Sequence, residues 1–349
     1  MNKQMLAKMN EVHHILTERD VLTATRSEWL VKLLYAFQDV HFVYLAMEYA
    51  PGGDLRTLMN NSGILLQKHI RFYAMEMLMA ANALHEIGFI HRDLKPENFL
   101  VDATGHVKLV DFGLSKGFLD PAKLDTMKRK MAHLHVTKRP SMELRTLHKT
   151  LLKQQRAYSL VGSPDYMAPE ILSGLEYNKN VDYWSLGCII YEFFAGYPPF
   201  TAEEAEQVWE NVVHWRDVLD RPEFDVQAAT DNLSDDAWDF ILHLLVEAHE
   251  RLSSVEQAKS HPFFGPIQWT RQVKPPFIPK LESDKDTHYF DDFTSEADLD
   301  LYKQVMDKYQ KIDEMEAADV PALRNAFIGF TFKQKKKEES LRDLSSLVE

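Results

Sequence analysis

Apolar residues Met9, Val12, Leu16 and Leu22 recur at helical spacing near the start of the chain, and two short β-rich runs follow at residues 29–35 and 42–47. The segment Pro51-Gly52-Gly53-Asp54 breaks that pattern. From residue 68 to 86 the set Ile70, Tyr73, Met77, Ala81 and Leu84 returns every three or four positions, and Gly88 supplies a stop, which predicts a buried central helix. Further helical stretches are predicted at 181–194, 202–215 and 235–246. The chain therefore turns from mixed to mainly helical, predicting an α+β architecture with a small sheet-bearing lobe and a larger helical one. Five prolines between residues 262 and 279 forbid a single helix there and predict a linker to a C-terminal extension.

At 349 residues, with 45% hydrophobic and 27% charged positions, the chain can bury a core and is not disordered throughout. Its single cysteine, Cys188, lies in an apolar helical run and reads as a small core residue; one cysteine excludes an intramolecular disulfide framework and points to a reducing compartment, cytosolic or nuclear. No run of eighteen apolar residues predicts a membrane span. The net charge of -13 disfavours nucleic acid and suits basic partners. Charge is unevenly placed: residues 114–158 carry eleven Lys or Arg against three acids, a net of +8, which leaves -21 on the remainder. Such an insert is either a solvated loop or a segment that docks on the acidic body.

The chemistry concentrates in His91-Arg92-Asp93-Leu94-Lys95-Pro96-Glu97-Asn98, followed thirteen residues after Asn98 by Asp111-Phe112-Gly113. Phosphoryl transfer needs a carboxylate for the attacking hydroxyl, ligands for Mg²⁺ and a cation for the transferred phosphate. Asp93, Asn98 with Asp111, and Lys95 can fill those roles, and the order and spacing resemble the protein-kinase catalytic loop and magnesium motif. Gly162-Ser163-Pro164-Asp165-Tyr166-Met167-Ala168-Pro169-Glu170 and Asp182-Tyr183-Trp184-Ser185-Leu186-Gly187 are similar to the later kinase motifs. With Tyr289-Phe290-Asp291-Asp292-Phe293 and Phe327-Ile328-Gly329-Phe330-Thr331-Phe332, they resemble the AGC serine/threonine kinases. The basic insert narrows the resemblance to the NDR/LATS branch, and residues 16–20 and 25–32 look most like its fungal mitotic-exit and septation kinases.

The resemblance implies a bilobal kinase fold with a truncated small β-lobe (1–48), a mainly helical large lobe (49–264) that includes the basic activation-segment insert 114–158, and an AGC-type tail (265–349) with a hydrophobic motif. It implies ATP and Mg²⁺ as cofactors. Asp93, Lys95, Asn98 and Asp111 would be catalytic, with Asn98 and Asp111 on the metal. Nucleotide would meet Glu18, Met47, Glu48, Ala50, Asp54, Leu100 and Asp111. Ser159 and Thr331 would be phosphosites, and Arg92 would pair with the phosphate on Ser159. Asp54, Glu97, Glu192 and Ser163 would meet protein substrates with basic residues N-terminal to Ser or Thr. Glu170 would pair with Arg251, and Asp182 would hold the backbone of the catalytic loop. Expected partners are those substrates, an upstream activating kinase and, for the full-length protein, a Mob-type coactivator; the expected location is cytoplasmic, nuclear, or at spindle poles and the division site.

The chain departs from the family's pattern at its start. It contains no G-x-G-x-x-G, its first glycine being Gly52, and the strand lysine that would pair with Glu18 falls before Met1. The expectation is a chain that begins inside the small lobe, without its first strands or the Mob-binding segment. Weakened ATP binding and an open strand edge would follow. The competing function is a catalytically impaired binding or regulatory module.

Overall fold

The computed structural model describes residues 1–8, 11–113, 141–153, 164–290, 303 and 326–334, without the side chains of Lys8 and residues 149–153. The chain divides into two compact units: residues 1–26, 31–49 and 291–349 form the first, and residues 27–30 with 50–290 form the second.

In the first unit, α1 (Lys3–Lys8) and α2 (Val12–Ala24) accompany an antiparallel hairpin of β1 (Leu33–Gln38) and β2 (Val43–Met47). The Asn2 side chain caps α1, its Oδ1 accepting from the backbone N–H of Gln4 at 2.9 Å and Met5 at 3.1 Å. Asp39 folds the hairpin turn, accepting from His41 N at 2.8 Å and Phe42 N at 2.7 Å. Among the described residues β2 stands at one edge of the sheet, as the sequence suggested, while β1 has a neighbour on each side. β5 (Phe332–Lys333), from the far end of the chain, pairs with it antiparallel, placing Tyr35 opposite Lys333 and Ala36 opposite Phe332. The sheet order is therefore β2-β1-β5, with β1 central.

The second unit is built around α4 (Gln67–Glu86) and α6 (Asn180–Ala195). All five residues that predicted α4 are at most 1% exposed. Its end lies where the sequence placed it, with Gly88 at φ +85° and its N–H on His85 O. α6 is buried on nearly every side, as its apolar composition requires. Gly196 stops it at φ +80°, donating to Glu192 O at 2.7 Å. Cys188 is fully buried within α6, and burial pushes its thiol pKa up, so it is a core residue. Before these helices lies α3 (Leu55–Ser62), and the hairpin of β3 (Phe99–Val101) and β4 (Val107–Leu109) follows α4. Helix α5 (Ser141–Lys153) belongs to the basic insert.

Two sequence expectations are corrected. The first β-run begins at Leu33 rather than residue 29, because Trp29 and Leu30 are engaged elsewhere: Leu30 bridges Leu109, and Trp29 O accepts from Leu109 N at 2.9 Å. The proline-rich run is also more than a linker. It packs along the second unit, with Phe263 and Phe264 fully buried, Arg271 paired with Asp102, and Arg271 Nη1 donating to Glu28 O at 2.7 Å. A side chain at Gly105 would meet Phe277 O at 2.2 Å, and one at Gly53 would meet Tyr289 O at 2.4 Å. Both glycines sit at positive φ, so the strap lies on positions that only glycine can fill without strain.

Candidate active site

The loop 91–98 is fixed from beneath by Asp182, on the first turn of α6 and wholly buried. Its carboxylate accepts from His91 N at 2.9 Å, Arg92 N at 2.8 Å and His85 Nε2 at 2.7 Å. Burial alone would raise its pKa; the His85 hydrogen bond leads the effects that bring it below the usual carboxylate range. Arg92 is held at φ +70°, a conformation costly for a residue with a β-carbon, and its guanidinium lies over the Tyr177 ring. The next residue is Asp93.

Asp93 is 7% exposed, and Lys95 Nζ donates to its Oδ2 at 2.7 Å. Burial opposes the charge on Lys95, but Asp93 first, then Glu97 and Asp111, raise its pKa and keep it a cation. Asn98 Nδ2 donates to Asp93 O at 2.8 Å, so its amide oxygen is turned away from that contact and remains an acceptor. Val110 N donates to Asn98 O at 3.0 Å, tying β4's exit to the loop, and His91 Nε2 lies 3.0 Å from Val110 O. Asp111 follows at φ +61° with an exposed carboxylate that accepts no hydrogen bond from any described residue, while Phe112 is fully buried against the His91 ring. An amide oxygen and an exposed carboxylate, both hard oxygen donors, suit a hard divalent cation.

The remaining predicted residues fall as follows. Asp54 caps α3, accepting from Thr57 N at 2.8 Å, and burial raises its pKa. Ala50 is buried and Leu100 half-buried. In the first unit Glu18 is half-buried on α2, Met47 is exposed, and Glu48 closes on Lys32, its Oε1 accepting from Lys32 N at 2.8 Å. Thr331 is exposed between buried Phe330 and strand β5. Phe327 is 3% exposed and Phe330 fully buried; Arg19 on α2 lies over the Phe330 ring and donates to Gly329 O at 2.8 Å. Ser159, Ser163 and Asp291-Asp292-Phe293 lie outside the described residues.

Glu97 and Glu192 are held in a way the sequence did not reveal. Arg56 on α3 donates from Nε to Glu97 at 2.9 Å, from Nη1 to Glu192 at 2.5 Å and from Nη2 to Tyr166 Oη at 2.5 Å. His148 Nε2, from α5, stands 3.0 Å from Glu192, out of hydrogen-bond alignment. Burial would raise Glu192, yet Arg56 first and then His148 bring its pKa down to about 2. Nothing in the spacing of Arg56 marks it: arginine in the first turn of a helix reads as surface. Glu170 and Arg251 form a buried pair, with contacts of 2.6 and 3.2 Å.

The family described as Protein kinase domain matches residues 1–139 and 146–264. This chain belongs to the protein kinase family. The Protein kinase C terminal domain matches residues 281–332, consistent with the tail motifs. The chain is 49% identical over 99% of its length to "Serine/threonine-protein kinase sid2" of Schizosaccharomyces pombe, covering 59% of that protein. It is 45% identical to "Cell cycle protein kinase DBF2" of Saccharomyces cerevisiae, over 97% of this chain and 60% of that one. The same organism's "Serine/threonine-protein kinase DBF20" is also 45% identical, over 96% and 60%. With these relatives, the chain stands in the NDR/LATS branch of the AGC kinases and spans about six-tenths of their length. Among the described residues no helix is long and apolar enough to cross a membrane.

Proposed function

We propose that this protein transfers the γ-phosphoryl group of ATP to Ser and Thr hydroxyls of protein substrates, in cell-cycle, mitotic-exit or cytokinesis signalling. The observation that carries this reading is the joint placement within one unit of Asp93, Lys95 and Asn98, on a loop braced by Asp182, and of Asp111 just after β4. Asp93 orients the attacking hydroxyl and accepts its proton, and Lys95 neutralises the transferred phosphate while holding Asp93 in place. Asn98 and Asp111 would hold Mg²⁺, which supplies charge neutralisation of the phosphates when bound.

For nucleotide, the family resemblance supports Met47, Glu48 and Ala50 toward adenine, Leu100 against its face, Asp54 near the ribose, and Glu18 toward the phosphate-binding side. Acidic Asp54 and Glu97 would draw basic substrate segments, with Ser163 beside the target residue. Ser159 and Thr331 would take phosphate from an upstream kinase, Arg92 pairing with the former, and a Mob-type coactivator would be a further partner. Cytoplasm, nucleus, spindle poles and division site suit those roles.

The test is mass-spectrometric detection of phosphate on a basic Ser peptide, on its Tyr counterpart, and with Asp93→Asn, alongside calorimetric Mg-ATP titration of the chain and of Asp111→Asn. Phosphate on Ser alone, lost with Asp93→Asn, is expected. Absence of transfer from a folded chain, or transfer to Tyr as readily as Ser, would refute the reading.

A further inference from the structure

Two carboxylates beside the catalytic loop, Glu97 and Glu192, converge on one guanidinium that belongs to the chain itself. Glu97 sits on the turn Pro96–Asn98, one residue before Asn98, with its side chain 42% exposed. Glu192 is fully buried in α6. Arg56 bridges them with its side chain only 10% exposed, using Nε toward Glu97 and both terminal nitrogens toward Glu192 at 2.5 and 3.2 Å. Tyr166 Oη closes the ring, accepting from Nη2 and donating to Glu192 Oε2 at 2.5 Å. A planar fork of donors matched to carboxylates is the geometry by which arginine is recognised anywhere. The two acids and the tyrosine thus form a guanidinium receptor bordering the loop that carries Asp93, and the receptor is full.

We propose that Arg56 is the resident occupant of this receptor, closing Glu97 and Glu192 to arginine or lysine side chains of the protein substrate and thereby setting which flanking position is left unselected. This inference rests on the kinase reading for the meaning of the site, but the occupancy is independent of it. Glu97 keeps its exposed outer face, so general attraction of basic segments persists while the inner, bidentate contact is denied. His148 also stands against Glu192 from α5, but it approaches the carboxylate out of line, so it does not replace the fork.

The experiment has one arm that needs no phosphoryl transfer. Agmatine, a guanidinium on a short alkyl chain, is titrated calorimetrically into the wild-type chain, Arg56→Ala, Arg56→Lys and Arg56→Ala/Glu192→Gln. Saturable binding by Arg56→Ala, at least about tenfold tighter than by wild type and lost in the double variant, is expected from a vacated charged fork. Equal binding by wild type and Arg56→Ala would overturn the occupancy. In the second arm, Ser peptides with a single arginine moved along the flanking positions are compared for phosphorylation. Arg56→Ala should gain a preference of about tenfold at one position where wild type has none. Glu192→Gln in the wild-type background keeps the test decisive if Arg56→Ala does not fold: its arginine profile should match wild type, and loss of an existing preference there would overturn the proposal. If agmatine binds Arg56→Ala but no variant phosphorylates any peptide, the kinase reading fails and the occupancy stands.

Discussion

Replacing Asp182 by alanine tests how the loop is held, because three donors converge on one buried carboxylate. Each donor left without a partner costs about 1–3 kcal/mol, so the three together cost roughly 5 kcal/mol. Release of the left-handed Arg92 backbone returns about 1–3 kcal/mol, since strain of that kind persists only where its surroundings enforce it. The net expectation is a loss of about 3 kcal/mol. Asp182→Asn keeps one acceptor but turns an amide toward the other donors, and should lose about 2 kcal/mol. Urea denaturation followed by tryptophan fluorescence reads the difference, and hydrogen exchange at the amides of His91 and Arg92 reads its location. Because folding lowers the Asp182 pKa, this stabilisation is complete above the unfolded value of about 3.9 and fades as pH falls below it, so the gap between wild type and Asp182→Asn should narrow in acid. A displaced Asp93 should also slow phosphoryl transfer by about 100-fold. A loss under about 0.5 kcal/mol with both amides still protected would refute the account, for it would mean that the loop holds its shape without the carboxylate.

Other perturbations address other contacts. Phe330→Ala should destabilise the first unit by about 3–5 kcal/mol, because the ring is fully buried beside Phe327 and under Arg19; a thermal melt unchanged from wild type would deny the docking of the tail motif. Gly105→Ala forces a β-carbon to 2.2 Å from Phe277 O at φ +91°, and should cost more than about 1 kcal/mol and open residues 270–280 to limited proteolysis; an unaltered digest would argue against the strap. Glu192, lowered from 4.5 to about 2, contributes stability above about pH 4.5 that is lost on acidification toward pH 2. Acid titration should therefore show a steeper loss for wild type than for Glu192→Gln over that interval, and parallel curves would count against the Arg56 pairing.

What the sequence disclosed and what it hid follow from how far each signal reaches along the chain. α4 was legible because five apolar residues at helical spacing and a terminal glycine are local features, and the fold merely buried the face they define. The loop 91–98 stood out for another reason: Asp93, Lys95 and Asn98 lie within six positions, so their side-chain chemistry is written in one short segment. The start of β1 was misread because Trp29 and Leu30 have strand-like composition but their partner, Leu109, lies eighty residues away. β5 was hidden still more thoroughly. Its two residues carry no strand signal of their own and become a strand only because β1, some three hundred positions earlier, offers an unpaired edge. Composition likewise treated the prolines after residue 262 as a spacer, since proline excludes helix without excluding packing.

Arg56 shows the same limit at the level of function. By resemblance, Glu97 and Glu192 carried an expectation of basic side chains from a protein substrate. Charge alone could not say whose base would answer it. Arg56 lies 41 positions from Glu97 and 136 from Glu192, and only the fold brings the three together. A buried arginine between two carboxylates is expensive to create and costly to break by removing one partner, so its presence fixes the local geometry more than it stabilises the chain. The consequence reaches the chemistry. With the guanidinium shared between α3, the turn that bears Asn98, and α6, the loop carrying Asp93 is tied to α6 twice, through Arg56 and through Asp182. The pairing of Arg56 and the position of Asp93 therefore depend on the same helix.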